Sequence, residues 1–319
     1  MIKRVALLLC SAAPVIAPAA DYPARPLRIL TPFSAGSTTD IIARPIAARL
    51  TELWGQPVVV DNRAGAGGNV AAEIVAHGVP DGHTLLVTSP GPVVINPSLY
   101  ASLPYDPARE LAPVTLIAAG ANVLAVHPAV AANSVQQLIA LARSRPDALN
   151  YASSGIGTIP HLSGELFRIA AKLPVIHVAY KGGPEAITDA LANRINFVFS
   201  PIGLALPLVK DKRLLALAVS PATRSPALPD VPTVAEAGVP GFALDTWYGL
   251  FAPAQTPRHV LHQISAEVAR MLKLPDVKER YDLRGAVPRP STPEEFNKFV
   301  KSEYDKLAAI VKAAGVKPE

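Results

Sequence analysis

Cysteine is almost absent from this chain of 319 residues, since Cys10 is the only one. It lies in the N-terminal segment that we expect to be removed on export, so the mature chain would contain no thiol. Disulfide bonds, thiolate metal sites and a cysteine nucleophile are therefore excluded for the mature protein.

A long apolar run is also missing from the body of the chain. No stretch of about 18 apolar residues continues without a charge or a proline, as a membrane-spanning helix would require. The N-terminus instead has the composition of a secretory signal: a basic start, an apolar stretch over 5–16, and a small-x-small cleavage site at 17–19. We predict a cleaved signal peptide over residues 1–20 and a soluble periplasmic protein. Lipidation of Cys10 is not expected, because the residue before a lipidated cysteine is normally small and Leu9 is large.

Strong charge of one sign is lacking as well. The chain has 30 Lys and Arg against 25 Asp and Glu, a formal net charge of +5. The basic residues are scattered, with their densest spot at 210–213, so no basic stripe could follow a nucleic-acid backbone. The dinucleotide pattern G-x-G-x-x-G fails at Val70, and no Gly-Lys-Ser/Thr occurs to form a phosphate loop. We expect neither a nucleic-acid partner nor a cofactor.

The remaining pattern is that of an α/β protein. Half of the residues are hydrophobic, and the length favours two domains of about 150 residues each. Short β-branched runs alternate with amphipathic segments, which predicts βα units around mainly parallel sheets. The terminal helices have no sheet of their own, so we expect them to fold back on the first lobe. This predicts a first lobe of residues 21–122 and 246–319 and a second lobe of residues 123–245. Pro45 conflicts with the first long helix, where proline costs about 3 kcal/mol.

Three glycine- and hydroxyl-rich turns connect a strand to a helix, at residues 33–40, 62–69 and 153–161. The unpaired N–H groups and the positive dipole end of a helix N-terminus favour anions, and glycine lets a ligand approach the backbone. Ligands of doubly wound sheets bind at the carboxyl ends of the strands, where such turns lie. The turns predict an anion site shared by both lobes, although each alone is also compatible with an ordinary Ser/Thr-capped turn. Asp40 is expected to support the first turn, because its carboxylate would repel an anionic ligand.

A hydrolase is the main catalytic alternative, with Ser154 as nucleophile and His161 as base. The nucleophile-elbow pattern G-x-S-x-G fails because Ala152 replaces its first glycine, and the spacing does not specify a triad. We expect His161 to cap or brace the turn. His259 and His262 share a helix face without a carboxylate to complete a metal site, so no metal is predicted.

Several short motifs in a fixed order resemble one known family. They are Tyr22-Pro23-x-Arg25-Pro26, the loop from Pro32 to Asp40, Gly55-Gln56-Pro57, Asn62-Arg63-x-Gly65-Ala66-Gly67-Gly68, Pro80-Asp81-Gly82-His83-Thr84, Tyr151-Ala152-Ser153-Ser154-Gly155 and Tyr180-Lys181-Gly182-Gly183. In this order the chain resembles the extracytoplasmic solute-binding proteins of tripartite tricarboxylate transporters, the Bug or TctC family.

This resemblance implies a type II periplasmic binding fold, with two doubly wound α/β lobes joined by a hinge. It also implies a small carboxylate gripped by the first two loops, mainly through backbone amides and ordered water. The ligand-binding residues carried over by position are Ser34, Ala35, Gly36, Ser37, Thr38, Ala66, Gly67, Ser89, Ser154, Gly155, Gly157, Thr158 and His161. The second-lobe members of this set would contact the far end of the ligand. Ser37 replaces a glycine that the family often has, and it would narrow the pocket or add a hydroxyl contact.

The predicted function is capture of a small carboxylate and its delivery to the membrane permease subunits of a tripartite tricarboxylate transporter. The resemblance leaves the ligand open among di- and tricarboxylates, acidic amino acids and aromatic acids. A periplasmic sensor subunit feeding a signalling receptor is the second hypothesis, and a hydrolase is the third. A monomer without catalytic residues is expected.

Overall fold

A computed structural model describes residues 22–316. The predicted signal peptide therefore lies outside the described residues. The strands are β1 (Leu27–Thr31), β2 (Val58–Asn62), β3 (Thr84–Thr88), β4 (Leu111–Gly120), β5 (Asn122–Val126), β6 (Leu149–Ser153), β7 (Val175–Ala179), β8 (Phe197–Pro201), β9 (Leu215–Val219), β10 (Thr246–Pro253) and β11 (Val287–Pro288). The α-helices are α1 (Thr38–Trp54), α2 (Asn69–Ala76), α3 (Asn96–Leu99), α4 (Pro107–Glu110), α5 (Val135–Ser144), α6 (Ile159–Ala170), α7 (Gly183–Leu191), α8 (Ile202–Lys210), α9 (Arg258–Met271), α10 (Pro275–Asp282) and α11 (Pro293–Ala314). A 3₁₀ turn covers Ala66–Gly68, and a π-helical turn covers Gly91–Ile95.

The strands form two sheets, one in each lobe. The first has the order β11-β4-β10-β3-β1-β2, and the second has the order β7-β6-β8-β5-β9. The chain crosses from the first sheet to the second between Gly120 and Asn122, and it returns between Val219 and Thr246. The first sheet therefore consists of two separate parts of the chain.

Strand direction differs from the mainly parallel sheets predicted from the sequence. β1 is parallel to β2 and β3, and β6 is parallel to β7 and β8. However, β10 is antiparallel to β3 and β4, and β5 is antiparallel to β8 and β9. The reason is the crossing itself: β5 and β10 begin where the chain enters their sheet from the other lobe, so they run away from the edge at which the parallel strands end.

Both faces of the first sheet are covered, as expected for an α/β lobe. In β1, Leu27 and Ile29 belong to the apolar cluster that includes side chains of α1 and α9. Leu30 belongs to a second apolar cluster, on the other face of the sheet, and all three side chains are buried. This pattern fits a central strand buried on both faces. Within residues 22–316, no helix combines the length and apolar character needed to cross a bilayer.

The last helix, α11, packs against β4 of the first sheet and also touches α6 of the second lobe. Phe296 of α11 is fully buried and meets Trp247 edge to face, with ring centroids 5.7 Å apart. The Trp247 indole N–H donates to Glu303 at 3.1 Å, which satisfies its only polar group. Burial of each such ring contributes about 1.5–3 kcal/mol.

Pro45 lies inside α1. Proline has no N–H, so the carbonyl group of Ile41, four residues earlier, lacks its helical donor. The next carbonyl, that of Ile42, accepts a hydrogen bond at 3.1 Å from the buried Tyr281 hydroxyl of α10. This bond ties α1 to α10 beside the proline.

Ser220 links the two crossings. Its hydroxyl accepts from the Asn122 N–H at 3.1 Å and donates to the Leu244 carbonyl at 2.6 Å. Both connections between the lobes are thus held together by one buried side chain.

Candidate functional site

The candidate site is a cleft between the lobes, at the edge where the parallel strands of both sheets end. The three predicted turns meet there, two from the first lobe and one from the second. The cleft contains two adjoining cavities that share Phe33 and Ser154 in their walls. We name them the hydroxyl chamber and the glycine chamber.

The hydroxyl chamber is small and rich in side-chain hydroxyls. Its walls are Phe33, Ser37, Thr38, Thr39, Ser89, Ser154, Thr158, Ile159, Pro160, Gly183, Pro201, Leu204, Thr246 and Tyr248. Its cavity volume is about 30 Å³. One water needs about 10–15 Å³ of such volume, so the chamber has room for a compact polar group and little more.

One hydroxyl of this chamber is left without a hydrogen-bond partner by the protein. The Thr38 hydroxyl is buried and has no hydrogen-bond partner of normal geometry among the described residues, although the Tyr248 phenol lies close by. Burial raises the pKa of Tyr248 to about 12, against the smaller opposing effect of the Thr38 and Thr246 hydroxyls, so the phenol keeps its proton at neutral pH. Such an arrangement suits an acceptor, because a buried unpaired hydroxyl is unfavourable until it finds a partner.

The helix N-termini add further donors. The N-cap residue of α1, Ser37, is buried and makes no side-chain cap hydrogen bond; its hydroxyl lies 3.2 Å from that of Thr39. The start of α7 likewise has a glycine N-cap, Gly182, without a side-chain cap. Uncapped N–H groups of the 17-residue helix α1 favour a negative group at this end.

The glycine chamber is larger, with a cavity volume of about 200 Å³. Its walls are Phe33, Gly65, Ala66, Gly67, Gly68, Tyr100, Ser154, Gly155, Ile156, Ala179, Tyr180 and Lys181. Among the described residues lining either chamber, Lys181 is the one with a charged side chain. The lining of the two chambers therefore favours an anion, whereas the Glu185 carboxylate lies outside them and accepts from Ser34 across the cleft.

Glycines allow the two lobes to approach each other beside these chambers. A Cβ added at Gly67 would come closer than 3.0 Å to the carbonyl oxygen of Ile156 in the other lobe. In the reverse direction, a Cβ at Gly157 would collide with the side-chain amide of Asn96. The described arrangement is thus a closed one, and these glycines are required for lobe contact.

Part of the first loop lies outside the cavities. Ala35 and Gly36 are exposed, and Ser34 donates across the lobes to Glu185 at 3.0 Å. The Gly36 N–H donates to the Asp40 carboxylate at 3.0 Å, and Arg44 binds the same carboxylate at 2.8 Å.

Asp40 itself is buried and stays ionised. Burial opposes its charge, but hydrogen bonds from Arg44, the Gly36 N–H and Asn62 outweigh it and hold the pKa of that carboxyl below its usual range. Asp40 therefore fixes the shape of the loop, as the sequence predicts, and takes no place in either chamber.

His161 braces the second-lobe loop from behind. Its Nδ1 accepts the Gly157 N–H at 3.2 Å, and its ring stacks on His177 with centroids 4.6 Å apart. Burial, together with the neighbouring His177, lowers the pKa of His161 to about 4. The Ser–His hydrogen bond nearby joins His177 to the fully buried Ser153 at 2.8 Å, a serine that no substrate could reach.

A metal site is not evident in the described part of the chain. No group of three or more His, Cys, Asp or Glu side chains there could hold an ion. His262 does have a carboxylate neighbour, Glu294, at 3.1 Å, which the sequence did not indicate, but the pair stands on the exposed surface.

The structure thus sorts the predicted site residues into groups. The hydroxyl chamber contains Ser37, Thr38, Ser89, Ser154 and Thr158; the glycine chamber contains Ala66, Gly67, Gly155 and again Ser154; and Ser34, Ala35, Gly36, Gly157 and His161 line neither chamber. Sequence reasoning missed Thr246 and Tyr248, which enter from β10, and it missed Lys181, although Lys181 lies in one of the motifs quoted above.

Comparison with known proteins gives a consistent picture. A family model described as tripartite tricarboxylate transporter family receptor matches residues 42–316. The chain is 34% identical over 307 residues to protein BugT of Bordetella pertussis, covering 96% of this chain and 94% of BugT.

Two solved structures are also similar. Rpa4515 of R. palustris with adipate has a TM-score of 0.90 and 36% sequence identity, covering 94% of this chain and 100% of that one. MatC (Rpa3494) of Rhodopseudomonas palustris with bound malate has a TM-score of 0.87 and 32% identity, covering 91% and 100%. These similarities confirm the family that the sequence motifs indicated and the predicted fold class of two α/β lobes.

Proposed function

Because the chain belongs to the family of tripartite tricarboxylate transporter receptors, we propose that it captures a small carboxylate in the cleft between its lobes. The observation that carries this proposal is the hydroxyl chamber, where the buried Thr38 hydroxyl, the protonated Tyr248 and the uncapped start of α1 all offer donors. A carboxylate accepts several hydrogen bonds at once, and donors held by a rigid scaffold are the usual way to bind one. The adipate and malate bound to the two similar structures support the same ligand class.

Opening of the lobes is part of this proposal. The hydroxyl chamber is too small to admit a ligand through the closed form, and Gly67 lies in contact with the opposite lobe. We take residues 21–122 with 246–319 as one rigid lobe and 123–245 as the other, with the hinge at the two crossings joined by Ser220. Ligand would bind the open form and stabilise the closed one.

A thermal-shift screen tests carboxylate capture. Ligands that bind only the native state raise its stability by about 2.7 kcal/mol at a concentration of 100 Kd. We expect at least one small carboxylate to raise Tm. Its Kd should be micromolar or lower, which corresponds to a binding free energy of about 8 kcal/mol. Amines and neutral sugars should leave Tm unchanged. Stabilisation by amines or sugars, with none by any carboxylate, would refute the proposal.

The delivery step is proposed from the family. The ligand-bound form would pass the carboxylate to the permease subunits of a tripartite tricarboxylate transporter, and the receptor would act as a monomer after export through a cleaved signal peptide. Edman sequencing of the exported protein should begin near residue 20 or 21. Uptake of the labelled ligand should stop when either this protein or the permease is deleted.

We further propose that the protein is not an enzyme. His161, with its lowered pKa and its Nδ1 engaged by Gly157, is a poor base for Ser154. Incubation with simple activated esters should give no turnover above that of the Ser154→Ala variant.

A further inference from the structure

Arg284 connects the two lobes at a point outside both chambers. It follows α10, whose buried Val277 and Tyr281 belong to the apolar cluster that also includes side chains of α1. Its guanidinium Nη1 donates at 3.3 Å to the carbonyl oxygen of Gly203, in the first turn of α8. α8 packs on the second sheet, where its Ile202 belongs to that sheet's apolar cluster. This hydrogen bond therefore joins one lobe directly to the other.

The Gly203 carbonyl can accept this bond because of a proline in α8. In an α-helix each carbonyl accepts the N–H of the residue four positions further on. For Gly203 that residue is Pro207, which lies inside α8 and has no N–H. Gly203 is buried, and a buried carbonyl without a donor is unfavourable. Arg284 supplies the replacement donor from the other lobe.

The backbone that carries Arg284 is fixed by the end of α10. Gly285 has a φ of 62°, and its N–H donates to the Asp282 carbonyl oxygen at 2.9 Å. The Ala286 N–H donates to the Tyr281 carbonyl oxygen at 3.0 Å. These two bonds form the Schellman motif, which commonly ends a helix at a glycine. The Arg284 side chain thus starts from a well-defined turn.

The contact also adjoins the hydroxyl chamber. A Cβ added at Gly203 would lie 3.3 Å from the Arg284 carbonyl oxygen and 3.5 Å from the Thr38 methyl carbon. Thr38 and the residue after Gly203, Leu204, both line the hydroxyl chamber. The Arg284 bond therefore holds α8 against the first lobe beside two walls of that chamber, one from each lobe.

We infer that Arg284 is a positioning residue for closure: its bond to the Gly203 carbonyl stabilises the closed form and slows release of the carboxylate. This inference rests on the proposed function, in which ligand stabilises the closed lobes. When the lobes part, water replaces each partner, so the bond contributes to the closed form alone. The bond is long and Arg284 is only half-buried, so we expect a moderate effect, about three- to tenfold.

Arg284→Met tests the bond, because methionine keeps an apolar stem and removes every donor. Adipate, malate and citrate are the probes, and binding is measured by calorimetry and by stopped-flow tryptophan fluorescence. For a probe that binds, the dissociation rate should rise about three- to tenfold while the association rate stays within about twofold, since the bond forms after closure. Arg284→Lys, which keeps a donor, should recover part of the loss. Arg280→Met, which removes the same charge from an exposed position of α10, is the control and should bind like wild type.

Pro207→Ala distinguishes this role from a general structural one. Alanine supplies the N–H that α8 lacks, so the Gly203 carbonyl gains a donor within its own helix. In this background the effect of Arg284→Met on the dissociation rate should fall to about twofold or less. Circular dichroism verifies that each variant is folded.

Two results would overturn the inference while carboxylate capture stands. One is an Arg284→Met that releases the probe at the wild-type rate, and the other is an effect of Arg284→Met that is equally large in Pro207→Ala. If no probe binds wild-type protein, small-angle X-ray scattering of the ligand-free proteins decides instead, and an equal radius of gyration for wild type and Arg284→Met overturns the inference. Failure of every carboxylate in the thermal-shift screen refutes the proposed function separately.

Discussion

Replacing Gly67 by alanine should prevent the lobes from closing while each lobe stays folded. Gly67 has a φ of 63°, and an added Cβ would come closer than 3.0 Å to the Ile156 carbonyl oxygen across the cleft. That oxygen belongs to the backbone and cannot rotate away. The collision is relieved only if the lobes separate by on the order of 1 Å, which also parts the walls of the glycine chamber.

The expected loss of affinity follows from the population of the closed form. Apparent Kd equals the intrinsic Kd divided by the fraction of protein that can adopt the binding conformation. Interatomic overlap of this size leaves far less than one-hundredth of the molecules closed, so we expect binding to weaken more than about 100-fold. A second, separate effect is the left-handed backbone at residue 67, which costs an alanine about 1–2 kcal/mol of stability.

Gly55 provides a matched control for the backbone effect. It has a φ of 65°, close to that of Gly67, but no atom lies within 4 Å of an added Cβ. Gly55→Ala should therefore lose similar stability and keep wild-type affinity. Calorimetry with the carboxylate that most raises Tm measures binding, circular dichroism verifies folding, and small-angle X-ray scattering with and without ligand reports closure.

Two results would refute this reasoning. One is a folded Gly67→Ala that binds as tightly as Gly55→Ala. The other is a Gly67→Ala that becomes as compact with ligand as wild type does, because closure would then not require the glycine. Gly157→Ala tests a different contact between the lobes, against the Asn96 side-chain amide, which can rotate, so it should weaken binding less than Gly67→Ala.

Three further predictions concern single side chains. Thr38→Val should leave the ligand-free protein as stable as wild type or slightly more stable, because the lost hydroxyl has no partner. It should weaken carboxylate binding by about 10- to 100-fold. Equal affinities of Thr38→Val and wild type in calorimetry would contradict this. The pKa of His161 is about 4 in the folded protein and about 6.5 in the unfolded chain. As pH falls, the unfolded chain therefore binds a proton at this histidine before the folded protein does. The free energy of unfolding should fall by about 3 kcal/mol between pH 6.5 and pH 4. Urea unfolding across that range should show a flatter profile for His161→Gln than for wild type, and parallel profiles would refute the assignment. Tyr281→Phe should lower the free energy of unfolding by about 0.5–1.5 kcal/mol, because it removes the hydrogen bond from the phenol to the Ile42 carbonyl; unchanged stability in urea unfolding would contradict this.

The repeating βα units were predictable because their signals are local. The turn at residues 33–40 and the helix that follows it, α1, show the hydrophobic period and the glycine punctuation that the sequence displays directly. β4 is harder to predict from the sequence, because Pro113 interrupts its pattern and proline usually argues against a strand. On one side, β4 is paired with the short strand β11, which reaches only Ala118 and Ala119. No strand of the described chain lies beside Pro113 on that side, so the missing N–H of the proline breaks no hydrogen bond between strands there.

The hydroxyl chamber could be predicted only in part, because its walls come from distant parts of the chain. Ser37 and Thr38 follow β1 and were found from the turn they form. Tyr248 stands near the start of β10, just after the second crossing, and no local pattern marks it as a cleft residue. A strand that returns from the other lobe necessarily begins at the cleft, so its first residues are candidates whenever such a crossing is inferred.

Gly36 and Gly67 show why turn glycines of similar appearance cannot be given one role from sequence. Both follow a strand of the first lobe and both have positive φ. The Gly36 amide is occupied by Asp40, and an added Cβ there would meet only the Pro184 ring at 3.8 Å, an ordinary contact. Gly67 instead faces the backbone of the opposite lobe. A side chain at Gly36 should therefore cost only local stability, whereas the same change at Gly67 acts on the closing of the whole cleft, and that difference exists only once the second lobe is in place.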